Sequence, residues 1–185
     1  MGFFGEPKIQ GDEFRKCLEY YEEETKLTVF QTKEADLYNN ALVKYSRSIS
    51  IGSNAAKEMC RAVNRLVQAA NEILRRRAKM ASIPSAASPM YFAWQIVFSD
   101  YQAWAEAQAA AVEAIASGME PHGQRVRELL SQSEKSRNKA MNEEKKLLER
   151  LKHSGLTGDM VQKIFNDASA AIVAENWQPQ KSEEI

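Results

Sequence analysis

Over residues 90–117 only Asp100, Glu106 and Glu113 carry charge, while Phe92, Trp94, Ile96, Val97, Phe98, Tyr101, Trp104, Val112 and Ile115 supply apolar bulk. A helix that is apolar nearly all round lies inside protein or in lipid. The carboxylates, with Gln95, Gln102 and Gln108, interrupt any run near the ~20 apolar residues that a bilayer span requires. The segment therefore reads as the central helix of a bundle, a dry spine for its neighbours. Ser88-Pro89 marks its start, a capping hydroxyl followed by a proline at the first helical position.

The rest of the chain has the same grain. Glycine and proline are few and cluster at Gly5-Glu6-Pro7, at Gly52-Ser53, from Pro84 to Pro89, around Pro121 between Gly118 and Gly123, and at Gly155 and Gly158. Sheets need turns more often than that. Over 12–49, Phe14, Leu18, Tyr21, Thr25, Thr28, Thr32, Ala35, Leu42, Tyr45 and Ile49 recur near a 3.5-residue spacing, which predicts a helix-packing seam. Over 54–81, Met59, Val63, Leu66, Ala70 and Ile73 share one face, with Ser53 or Asn54 as the cap. Gly52 either kinks one long helix or ends it, since a glycine inside a helix costs only about 1 kcal/mol.

Residues 124–153 differ in character. Val126, Leu129, Leu130, Met141, Leu147, Leu148 and Leu151 form a thin stripe, but Ser133, Arg137 and Glu144 fall where it should continue. A helix so poor in core residues is expected to project or pair. A short helix over 157–175, carrying Val161, Ile164, Phe165, Ala168 and Ile172, ends the pattern. The expectation is an all-α, elongated antiparallel bundle of four to five helices, dimeric through its long helices. It has a lead over 1–11, one helical domain over 12–176 and a polar tail over 177–185.

Lysines and arginines, 25 together, balance 25 acidic residues, so no overall field draws an anionic partner. Any electrostatic contact must come from a local patch. Cys17 and Cys60 lack CxxC spacing and no secretory leader precedes them, so buried thiols in a reducing, cytoplasmic compartment are expected. Gly2 is not followed by the Ser or Thr that a myristoylation signal has at position six, so no lipidation is expected.

No constellation points to catalysis. His122 and His153 stand beside breaks, away from any metal-ligand spacing, and His153 reads as a cation near a helix C-terminus. Glycine-rich phosphate loops and nucleophile elbows are absent from the sequence, so neither an enzyme, a metal nor a cofactor is expected. The run Glu19, Glu22, Glu23, Glu24 reads as a solvated face.

Basic residues segregate more informatively. Lys57, Arg61, Arg65, Arg75, Arg76, Arg77 and Lys79 give the second stretch a positive excess, and Lys57, Arg61 and Arg65 stand four apart on one face. Arg137, Lys145 and Lys146 add weaker candidates. Such rows attract anionic headgroups at about 1 kcal/mol per residue near the surface. Aromatic residues sit in the apolar seams rather than among Arg75-Arg76-Arg77, so nucleic acid ranks last among partners.

Residues 14–45 resemble the opening helix of F-BAR domains, with Ala35, Tyr38, Ala41, Leu42, Lys44 and Tyr45 at its small, aromatic and basic positions. Tyr91-Phe92-Ala93-Trp94-Gln95 is similar to the start of that family's third helix. Ala103, Ala107, Ala111 and Ile115, then Met119-Glu120-Pro121, resemble its kink. The chain is shorter than a usual F-BAR module, and its stretch over 52–80 is longer than the usual connection. The resemblance implies a peripheral membrane-binding homodimer. Trp94, Phe98, Tyr101 and Trp104 would anchor bundle and interface, and the basic residues above would touch phospholipid. Phe3 and Phe4 would act as a wedge or pack on the bundle, packing being favoured. A helical adaptor, whose seams receive a protein partner instead, is the competing expectation.

Overall fold

The breaks fall where the sequence places its glycines and prolines. The computed structural model of the chain, described over residues 11–46, 54–80, 82–153 and 156–179, is all-helical. Its five described helices are α1 (Gly11–Ser46), α2 (Asn54–Arg77), α3 (Ser88–Ala116), α4 (Gln124–His153) and α5 (Gly158–Ala174). At 1.5 Å per residue α1 is about 54 Å long. Ile49, Gly52 and Ser53 lie outside the described residues, as do Phe3 and Phe4.

Several ends differ from expectation for local reasons. α2 stops at Arg77 rather than Ala81, tightening through Lys79 N–H to Arg76 O (3.0 Å) and Met80 N–H to Arg77 O (3.1 Å). Pro84 follows and disfavours helix at Ile83. Ser88 is not a side-chain cap: a 3₁₀ turn over Ser85–Ala87 leads in, Ala87 holds the capping position and Pro89 sits one place deeper. Proline remains harmless there because the first helical N–H groups have no partner in the helix. α3 ends in a Schellman turn, with Gly118 at φ +91° and bonds from Gly118 N–H to Ile115 O and Met119 N–H to Ala114 O. Thr157 caps α5, its Oγ1 accepting from Met160 N–H at 3.3 Å.

Successive long helices run antiparallel. Lys44 pairs with Glu58 near one end of α1 and α2, and Glu24 with Arg77 near the other. Gln102 meets Asn71 and Gln95 meets Arg77 between α3 and α2, while Gln108 meets Ser133 and Tyr101 meets Glu144 between α3 and α4. α5 returns onto α1. One core cluster joins Tyr20, Phe30, Trp94, Phe98, Ile73 and Leu151; the other joins Tyr38, Met59, Val63, Leu66 and Trp104.

α3 is the spine, though not dry all round. Trp94, Val97, Phe98 and Trp104 are buried, whereas Phe92 is 61% exposed and Ile96 also faces outward. Tyr101 is half-buried, edge-on to Trp104 at 5.7 Å. α4 pairs with α3 along its length. Its thin stripe is filled by small residues, Ser133 and Ala140, both fully buried. The glutamine that interrupts α3 is what serves them: Tyr38 O–H donates to Gln108 Oε1 (2.7 Å) and Gln108 Nε2 donates to Ser133 Oγ (2.6 Å). A chain of hydrogen bonds thus crosses α1, α3 and α4, which satisfies polar groups that would be costly unpaired.

The tail begins later than expected. Trp177 is 6% exposed and Pro179 is buried, because Asn176 at φ +47° closes a second Schellman turn, Trp177 N–H reaching Ile172 O at 3.1 Å. That turn swings Trp177 back onto Phe30, ring centroids 5.7 Å apart. Cys17 is buried and Cys60 only half-buried. No described helix is long and apolar enough to cross a membrane.

Candidate functional site

Three consecutive arginines on a helix point in three directions, about 100° apart. Arg77 follows Ile73 by four residues and so continues the inward stripe of α2. Its side chain is 4% exposed and Glu24, on α1, is fully buried. Arg77 Nε donates to both Glu24 oxygens (2.9 Å each), Nη2 donates to Tyr91 O (2.8 Å), and Nη1 donates to Gln95 Oε1. Tyr20 O–H donates to the same carboxylate. Burial pushes the Glu24 carboxyl above its ordinary range, while the Arg77 and Tyr20 hydrogen bonds pull against it. Arg77 is therefore turned into the bundle rather than toward an outer flank, and Glu24 is buried rather than on the solvated face expected of it. Glu24 stands four residues from both Tyr20 and Thr28, on the buried side of α1.

Two further carboxylates hold the neighbouring arginines. Arg65 grips buried Glu34 through Nε and through Nη2 (2.8 Å), and Nη2 also donates to Gln178 Oε1 (2.9 Å). Glu72, buried on α2, accepts from Arg75 Nε (2.7 Å) and Nη2 (2.6 Å) and from Arg76 Nε (2.7 Å). Arg75 first, then Arg76, hold the Glu72 carboxyl below the usual range. The Arg76 guanidinium lies over the Trp177 ring, 3.7 Å from its centroid, at the distance of a cation–π contact.

Arg75 and Arg76, but not Arg65, lie on one wall of a groove of about 1170 Å³ between α1 and the end of α2. Arg75, Arg76 and Lys79 line the α2 side; Asp12, Glu13, Glu19 and Glu23 line the α1 side, with Lys16 among them. Tyr20, Leu27, Met80 and Trp177 add apolar surface to the lining, which Ser82, Pro84 and Ser85 complete. Ser85 Oγ donates to Glu13 at 3.0 Å. The groove thus joins hydrophobic contact area to charges of both signs. Its described lining contains no histidine or cysteine.

The remaining basic candidates are scattered. Lys57, Arg61, Lys79, Arg137, Lys145 and Lys146 are exposed. Lys146 pairs with Glu143 at 2.6 Å, and the Arg137 guanidinium lies 5.8 Å from the Trp104 ring. Trp94, Phe98 and Trp104 complete the core within one chain. His122 is exposed in a turn, and the His153 side chain lies outside the described residues. Glu24, Glu34 and Glu72 turn inward without any hydrophobic signal in the sequence, whereas Arg77 continues the stripe of Met59, Val63, Leu66, Ala70 and Ile73. Set against known protein families, curated proteins and solved structures, the chain matches none of them.

Proposed function

We propose that this chain is a non-enzymatic helical interaction module that seats a polypeptide segment in the groove between α1 and α2. The observation that carries the reading is the groove itself, apolar surface flanked by a basic and an acidic wall. A peptide offers all three chemistries on one backbone, whereas an anionic surface would meet Glu19 and Glu23 with repulsion. The arginines expected on headgroups also have employment inside the fold: Arg65, Arg75, Arg76 and Arg77 are each held by a buried glutamate.

Selection from a displayed random-peptide library tests this directly. Enriched peptides should lose binding to a variant carrying Lys79→Glu and Met80→Glu while its circular dichroism stays unchanged. Absence of any enrichment, or binding indifferent to that variant, removes the reading.

A second reading, the elongated F-BAR-like dimer on an anionic membrane, is supported by the exposed pair Lys57 and Arg61 and by Arg137 and Lys145 on α4. Co-sedimentation with vesicles separates the two. Recovery that rises with anionic lipid and falls on Lys57→Glu with Arg61→Glu favours the membrane; equal recovery from neutral and anionic vesicles favours the groove.

A further inference from the structure

We infer that the groove selects segments that carry an aspartate or glutamate side chain, and that Arg76 is the residue that reads it. The inference deepens the groove function proposed above and rests on it. Arg76 is fixed on two sides: its Nε donates to Glu72 at 2.7 Å, and its guanidinium carbon lies 3.7 Å from the Trp177 ring centroid. Both supports are themselves held. The Glu72 side chain is 3% exposed and takes two further bonds from Arg75, while Trp177 packs edge-on to Phe30. Yet 33% of the Arg76 side chain is open to solvent, and among the described residues only Glu72 accepts a hydrogen bond from it. The Nη1 and Nη2 groups are thus left for a ligand, and together they match both oxygens of a carboxylate. A guanidinium already in position loses little freedom on binding.

Charge decides the class of anion. Arg75 and Arg76 against Glu72 leave one net positive charge, and Lys79 lines the same groove. Glu23 is paired with Lys26 at 2.6 Å, which offsets its repulsion of an incoming carboxylate. Asp12, Glu13 and Glu19 remain in the lining, and a phosphate dianion meets them with about twice the repulsion that a carboxylate does. A side-chain carboxylate is therefore the favoured anion. The α1 part of the lining runs through Asp12, Lys16, Glu19, Glu23 and Leu27, spaced as one helix face over about 22 Å, the length of about seven extended residues. Tyr20, Leu27 and Trp177 in the same lining call for a large apolar side chain beside the acidic one.

A double-mutant cycle on the full chain tests the assignment, with a peptide enriched from the random library as probe. Enriched peptides should share one acidic position, and exchanging that carboxylate for its amide should weaken binding to the wild-type chain about tenfold. Against Arg76→Lys, which keeps the charge but lacks the paired donors, the same exchange should cost only about twofold. Lys79→Gln should weaken both peptides and leave their ratio near tenfold. Arg75 still holds Glu72 through two bonds in the Arg76→Lys chain, so its circular dichroism should match the wild type. Should lysine disturb the helix end, Arg76→Gln, which can still donate to Glu72, reads the same ratio. If Arg76 merely supports the fold, its replacement weakens both peptides alike and keeps the ratio near tenfold, which overturns the inference. Enrichment without a shared acidic position, or tighter binding of phosphoserine at that position, overturns it as well and leaves the groove function standing. Absence of any enrichment overturns both.

Discussion

Arg77 and Glu24 hold α2 to α1 through a pair that excludes water on every side, with Tyr20, Gln95 and the Tyr91 carbonyl taking up the remaining donors and acceptors. Removing one partner leaves the other charge buried and alone, which costs about 3–5 kcal/mol. Urea denaturation of Glu24→Leu and of Arg77→Met should each show a loss of that size. The double variant should recover much of it, because two apolar side chains leave no orphaned charge; a double variant as unstable as the sum of the singles would contradict this. The tyrosines add a pH dependence. Burial pushes the Tyr21, Tyr38 and Tyr101 hydroxyls up to about 12, and burial with Glu24 pushes Tyr20 up as well. An unfolded tyrosine ionises near pH 10. Below that pH both states keep their protons and stability is complete. Between about 10 and 12 the unfolded chain releases protons that the folded chain retains, so stability falls as pH rises. These phenolate absorbances should therefore appear together with loss of the helical circular-dichroism signal, and ionisation with helices intact would contradict the burial.

At the scale of the helix, the end of α5 decides where Trp177 goes. Asn176 holds φ +47°, a conformation that a β-branched side chain adopts only at a cost of about 1–2 kcal/mol. Asn176→Val should lower the thermal midpoint by a few degrees and shift tryptophan emission to the red as Trp177 leaves Phe30 and Arg76. Asn176→Gly should leave both nearly unchanged, and equal behaviour of the two variants would show that the turn does not place the ring. Helix bounds follow the sequence closely for α4 at Gln124 to His153 and for the break after α3 at Gly118, while the last helix, expected over 157–175, runs from Gly158 to Ala174 with Thr157 as its cap. Faces were less readable. The seam expected on α1 is buried at Tyr21, Thr25, Thr28 and Ala35 and partly buried at Phe14, Leu18 and Tyr45, but Thr32 and Leu42 are exposed, and the buried side also takes in Cys17, Tyr20, Glu24, Gln31, Glu34 and Tyr38. Hydrophobic periodicity cannot register a stripe that carries carboxylates and amides, because their burial depends on partners from other helices, Arg77 and Arg65, that lie far along the chain. The groove was invisible for the same reason: its walls come from separate helices, and one side chain in it, Trp177, stood in what read as a polar tail.

For the molecule as a whole, what matters is which surface the aromatic residues face. They were expected to anchor both the bundle and a contact between copies. In the structure Trp94 meets Tyr20 and Tyr21, and Trp104 meets Tyr38 and Tyr101, all within one chain. A core closed in this way needs no second copy for its burial. An obligate dimer has no stable folded monomer, and its unfolding midpoint climbs with protein concentration by mass action. Here the midpoint should stay constant over about a hundredfold range of concentration, because folding and association are separate equilibria. Any contact between copies would then rest on outward groups such as Phe92 and Ile96, and replacing those two by serine would change mass in solution without lowering the midpoint. A midpoint that rises steadily with concentration would mean that the aromatic core is completed only between chains.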